Sequence, residues 1–145
     1  LHIIEGSQIW KGSFSYAPEQ EEDTTSVPFE LYIDIKDGKF EGVSYDDEFR
    51  EYHSKLPKVK GTINGYDINF VITYPVSFSI DDNDKIEVDI TKKGHEVIYS
   101  GAYSTNTSNW VGIWEILPLE EIENDMVIYQ DYSFGEWELS IEGKI

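Results

Sequence analysis

Three histidines, His2, His53 and His95, are the first residues to test for chemistry, and their spacing speaks against it. They fall in separate segments, with no H-x-H, H-x-x-x-H or H-E-x-x-H pattern, whereas zinc needs three or four convergent ligands. His53, flanked by Asp46, Asp47, Glu48 and Glu51, is the best placed of the three and still reads as a solvated surface residue. Asp81-Asp82-Asn83-Asp84 offers hard oxygen ligands of the kind calcium takes. It lacks the spaced D-x-[DN]-x-[DN]-G frame and the distal bidentate Glu, so it reads as a tight hairpin turn. There is no G-x-S-x-G elbow, no G-x-x-x-x-G-K-[ST] cradle and no G-x-G-x-x-G opening a helix. With 29 Asp and Glu in the chain, no carboxylate pair stands out for acid–base work. Asn106-Thr107-Ser108 matches a glycosylation sequon and reads as a turn. The expectation is a chain with no catalytic residue, no metal and no cofactor, more a binder than an enzyme.

What remains is aromatic: ten Tyr, seven Phe and four Trp. The residues expected to line a ligand site are Trp10, Tyr45, Tyr74, Tyr99, Tyr103 and Trp114, with Phe70 and Trp110 on the same inward face. Rings supply stacking faces, and Tyr hydroxyls fix orientation, so a small apolar or aromatic ligand is the natural guest. The competing reading is that the rings fill their own core, as side chains do in small barrels.

Such rings need a pleated surface to hold them. In Phe29–Asp46, Phe29, Leu31, Ile33 and Ile35 alternate with Glu30, Asp34 and Lys36, and Asp37-Gly38 is the dipeptide a type I′ turn prefers. Two arms of a hairpin follow. In the second arm the apolar residues slip from Phe40 to Val43 and Tyr45 past Gly42, which predicts a β-bulge or a sharp bend there. Lys58–Thr73 is a second hairpin, turning at Asn64-Gly65; Val59, Gly61 and Ile63 share a face in the first arm, and Tyr66, Ile68, Phe70, Ile72 and Tyr74 share one in the second.

Further strands are read at Ser7–Tyr16, Ile86–Ile90, His95–Ser104, Asn109–Leu117 and Phe134–Ile141, with a short one at Met126–Tyr129. Trp137, Leu139 and Ile141 form the inward side of the closing strand. Residues 17–27 read as a mobile acidic loop, and 46–55 as at most one short helix or else a plain surface crossover. Trp10-x-Gly12-x-Phe14, Val59-x-Gly61-x-Ile63, Tyr99-x-Gly101-x-Tyr103 and Trp110-x-Gly112-x-Trp114 each set a glycine between two large same-face residues. Strongly coiled strands need this, because glycine relieves crowding at the bend and leaves room for a ring. The fold class is therefore all-β: an antiparallel up-and-down β-barrel of about 8–10 strands in a single domain over 1–145.

Net charge is −18, which repels phosphate backbones and anionic lipid, so nucleic acid and membrane are not expected partners. No cysteine is present, which removes disulfides and thiolate chemistry and fits the cytoplasm. The opening on Leu1 leaves a removed leader open.

The order Gly61, Ile63, Gly65, Ile68, Phe70, Tyr74, then Tyr99-x-Gly101, Gly112-x-Trp114-x-Ile116 and Gly135-x-Trp137 resembles small bacterial β-barrels of the calycin type. That grouping holds the lipocalins, fatty-acid-binding proteins and avidins, and the resemblance spans roughly residues 7–143 as a strand pattern. It implies a lipocalin-like barrel with a ligand at one mouth. The first strand carries Trp10-Lys11-Gly12 where lipocalins show G-x-W, so no ligand identity comes with it. Two functions are expected: a non-catalytic barrel binding a small apolar ligand, or a protein–protein interaction barrel with a filled core and acidic loops.

Overall fold

The computed structural model describes residues 3, 5–16, 26–46, 56–74, 77–80, 86–89, 96–116, 119–123, 126–130 and 133–144. The strands are β1 (Gly6–Tyr16), β2 (Val27–Lys36), β3 (Lys39–Asp46), β4 (Lys58–Asn64), β5 (Asp67–Thr73), β6 (Ser77–Ile80), β7 (Ile86–Asp89), β8 (Glu96–Ser104), β9 (Asn109–Ile116), β10 (Leu119–Glu123), β11 (Met126–Gln130) and β12 (Ser133–Lys144). Eight of them close into an antiparallel up-and-down barrel in the order β1-β12-β9-β8-β5-β4-β3-β2. The pairs β6-β7 and β10-β11 form two separate hairpins. No described residue is helical. The helix expected at 46–55 lies outside the described residues except for Asp46, which closes β3. Most of the acidic loop expected at 17–27 is likewise outside them, and its last residue, Val27, already belongs to β2.

The turns explain the register. Asp37 and Gly38 have φ of 55° and 76°, the left-handed pair that a type I′ turn demands, and Lys36 faces Lys39 across it. The second hairpin turns one residue later than expected. Asn64 pairs with Asp67, so Gly65 and Tyr66 are the central residues, and only Gly65, at 63°, has positive φ. This is the II′ pattern, in which glycine takes the first central place. The β8–β9 connection uses four residues, Thr105–Ser108, with Ser108 in the left-handed region.

The predicted bulge at Gly42 is absent. β2 and β3 pair without a slip from Lys36↔Lys39 to Phe29↔Asp46. The inward phase therefore runs Phe40, Gly42, Ser44, Asp46, and Val43 and Tyr45 sit on the outer wall. The register shift lies instead in the seam between β1 and β12, where Ile9 pairs with Gly143 and Trp10 with Ile141. Ile141, expected inside, is exposed at that slip.

Two directions organise the barrel. The tight turns 36–39, 64–67 and 104–109, the start of β1 and the end of β12 share one end. The four long connections 17–26, 47–57, 74–95 and 117–132 leave from the other, and these carry both extra hairpins. Glycines permit the closeness between strands. A Cβ on Gly61 would lie 2.5 Å from the Phe40 ring and 2.5 Å from Phe70 Cβ, so the missing side chain is the space that the Phe40 ring fills. Gly101 and Gly112 are cross-strand partners, and each faces a backbone carbonyl at about 2 Å from where its Cβ would stand.

Candidate functional site

The inward side chains of the barrel are rings stacked on rings. Trp110 stacks on Trp10 at 5.9 Å, and Trp10 meets Phe40 at 6.2 Å. Phe40 leads to Phe70 at 6.0 Å, and Phe70 stacks on Tyr99 at 4.5 Å. Trp137 sets its edge against both Phe70 and Tyr99. From Tyr99 the contacts run through Phe29 and Phe14 to Trp114. The series starts near the tight turns, with Tyr103 edge-on to Trp110 at 5.3 Å, and ends near the long connections. Aliphatic residues Leu31, Ile33, Ile35, Val59, Ile68, Ile72 and Leu139 fill between the rings.

Three of the four indole donors are satisfied inside the barrel. Trp114 Nε1 donates to the Ser15 carbonyl at 3.0 Å, Trp137 Nε1 to the Ile113 carbonyl at 2.9 Å, and Trp10 Nε1 to Gln8 Oε1 at 3.0 Å. Trp110 Nε1 is buried with no hydrogen-bond partner among the described residues.

The six residues expected to form one ligand site do not converge. Trp10 and Tyr103 lie toward the tight-turn end, Tyr99 sits mid-barrel, and Trp114 and Tyr74 lie toward the long-connection end. Trp10, Tyr99 and Trp114 are core, each spent on neighbouring rings. Tyr45 is on the outer wall, because alternation along β3 continues through Gly42. Tyr74 points to an inward carboxylate: its hydroxyl donates to Asp46 Oδ2 at 3.4 Å.

That contact reveals a site the sequence reading missed. Asp46 (5% exposed) and Ser44 (1%) are inward polar residues on the last turns of β3, at the end where the long connections gather. Among the described residues Ser44 Oγ has no hydrogen-bond partner, while Ser44 N donates to the Pro57 carbonyl at 2.9 Å. Their signal was present: both keep period-2 phase with Phe40. It went unread because the phase was assigned to the apolar Val43 and Tyr45 instead.

Two smaller features complete the inventory. A groove of about 210 Å³ at the tight-turn end is lined by Ile3, Glu5, Ile35, Gly38, Ile63 and Gly65, and Glu5 accepts a hydrogen bond from the Asp37 amide at 3.0 Å. On the outer wall the Tyr32 hydroxyl donates to the Glu30 carboxylate, and that bond, with partial burial and the Glu30 charge, holds the phenol above its ordinary range. Among the described residues no group of three or more His, Asp or Glu is placed to hold a metal, and no helix is long and apolar enough to cross a membrane. His2, His53, His95 and Asp81–Asp84 lie outside the described residues.

The fold defines the class: a closed eight-stranded, up-and-down antiparallel barrel with an aromatic interior. No family model matches the chain, and no curated protein or solved structure matches it.

Proposed function

We propose that this chain is a non-catalytic interaction barrel, a calycin-like shell whose core is occupied by its own side chains and whose partners are met on its outside. The observation that carries this reading is the ring series from Tyr103 to Trp114. The faces a guest would stack on are already stacked on each other, with Phe70 and Tyr99 4.5 Å apart in the middle. A guest would have to break these ring–ring contacts and the strand packing that holds them, contacts it could at best replace.

The test is solvent extraction and native mass spectrometry of protein purified from its own host. The expected result is a chain without a stoichiometric small molecule. A retained small molecule at one per chain overturns the reading.

One observation favours a second reading, a small ligand at the long-connection end. Among the described residues the buried Ser44 hydroxyl has no partner; it shares the inward face of β3 with Asp46, the residue that Tyr74 contacts, and such a group is costly unless something hydrogen-bonds it. In that reading Tyr74 and Trp114 belong to the site, and Trp10, Tyr45, Tyr99 and Tyr103 do not.

A further inference from the structure

The outer wall of the barrel is polarised. On β9, Val111 and Ile113 point outward, 37% and 52% exposed, although both are fully apolar. Their cross-strand partners on β12 are Glu138 and Glu136, both exposed. On the β8 side, Val111 faces Ala102 and Ile113 faces Ser100, so the apolar stripe meets no cation there. The result is an apolar centre edged by carboxylates.

The opposite wall is its complement. β4 directs Lys58, Lys60, Thr62 and Asn64 outward, all exposed, and no acid shares that strand. Lys58 lies between Val43 on β3 and Thr73 on β5, and Lys60 pairs with Val71 on β5 and Glu41 on β3. Exposed Lys39 stands beside Thr62. In the closed order, β4 is four strands from β12 whichever way the barrel is travelled, and β3 is four from β9. In a chain of net charge −18 with only 11 Lys and Arg, one wall gathers Lys39, Lys58 and Lys60 beside half-buried Val43 and Val71, with Glu41 next to Lys60, and the wall diametrically across holds acids interleaved with exposed aliphatics.

We infer that the Val111–Ile113 wall of one copy docks on the Lys58–Lys60 wall of a second copy, head to tail. Ile113 and Val111 pack against Val43 and Val71, and Glu136 and Glu138 meet Lys58 and Lys60. This rests on the interaction-barrel reading and names its partner. The two patches differ and lie on opposite sides, so the contact is heterologous and extends into rows instead of closing as a dimer. Three strands at about 4.8 Å spacing and some five residues at about 3.3 Å give a flat patch of a few hundred Å². That is well below a stable interface, so the association is weak and concentration-dependent. Net negative charge opposes approach at low salt, whereas ion pairs in contact are screened less at about 0.15 M, where the Debye length is about 8 Å.

Sedimentation velocity over a concentration series tests this. The wild-type chain should show a weight-average sedimentation coefficient that rises steadily with concentration, more at about 0.15 M salt than at about 0.01 M. Lys58→Glu/Lys60→Glu and Glu136→Lys/Glu138→Lys should each weaken self-association roughly tenfold or more. An equimolar mixture of the two variants should associate again, because one then offers two acidic walls and the other two basic ones. All four positions are exposed on the wall, and circular dichroism should show both variants folded. A wild-type chain that stays monomeric throughout, variants that associate like wild type, or a mixture that does not recover would each overturn the docking. Extraction and mass spectrometry read the interaction-barrel proposal separately: rows with a retained ligand sink that proposal alone, and a ligand-free monomer sinks the docking alone.

Discussion

Phe70 and Tyr99 are Cα partners across β5 and β8, and their rings stack at 4.5 Å with 9° between planes. Trp137 closes on both with its edge, at 5.3 and 5.9 Å. These three rings, from three strands, are the middle of the core, and removing any one opens a hole the other two cannot fill.

Phe70→Ala should therefore destabilise the chain by about 3–5 kcal/mol, the range for a buried ring cut to a methyl group. Urea denaturation followed by Trp fluorescence gives the number. A loss under about 1 kcal/mol would mean that the core collapses around the gap, contrary to a barrel whose rings are held by strand closure.

Two glycines should behave differently for different reasons. At Gly61 a Cβ would meet the Phe40 ring, Phe70 Cβ and the Asn69 carbonyl at 2.5–2.6 Å, so Gly61→Ala overpacks a rigid site and should cost about 1–3 kcal/mol or more. At Gly65 nothing lies within 4 Å, and the cost is backbone alone, about 1–2 kcal/mol for an L-residue at φ 63°. Adding Phe40→Leu should recover part of the Gly61→Ala loss and none of the Gly65→Ala loss.

Ser44→Ala separates the two functional readings. If Ser44 Oγ has no partner in solution, removing it discards an unsatisfied polar group, and the urea midpoint should stay level or rise. A loss of about 1 kcal/mol or more would show that the hydroxyl is hydrogen-bonded in solution, as a site beside Asp46 requires.

Tyr32 predicts a weakness toward alkali. Its phenol, hydrogen-bonded to Glu30, keeps its proton above the pH at which an unfolded tyrosine loses it. Above about pH 10 the unfolded state then binds fewer protons than the folded one, so stability falls as pH rises. The contribution is complete below that pH and is lost through the folded-state value. The stability difference between wild type and Tyr32→Phe should be constant from about pH 8 to 9.5 and shrink above pH 10. A difference independent of pH across that range would refute the assignment.

The sequence made the barrel legible where local chemistry and alternation agreed. Asp37-Gly38, the Phe29–Ile35 face and the glycine-between-rings spacing are each a consequence of steric rules that act within a few residues. It was illegible where those rules are silent. β6-β7 and β10-β11 have the same strand-and-turn pattern as the barrel strands, and nothing local says which sheet a hairpin joins. On β3, Ser44 and Asp46 look like outward residues by polarity and are inward by phase, while Val43 and Tyr45 show the reverse. The six aromatic residues are spread along the barrel for a different reason. Alternation tells inside from outside but not height along the barrel axis, and Trp10 and Tyr74 differ in height.

The seam between β1 and β12 joins the first strand of the barrel to its last, and Trp10 is paired there with Ile141. On the ribosome, β1 therefore emerges long before its second neighbour exists, and both of its flanks cannot be hydrogen-bonded until residues 133–144 have been made. Translation pauses or nonsense codons upstream of Ser133 would leave an open, ring-rich sheet with two raw edges, the form most exposed to chaperones and to aggregation.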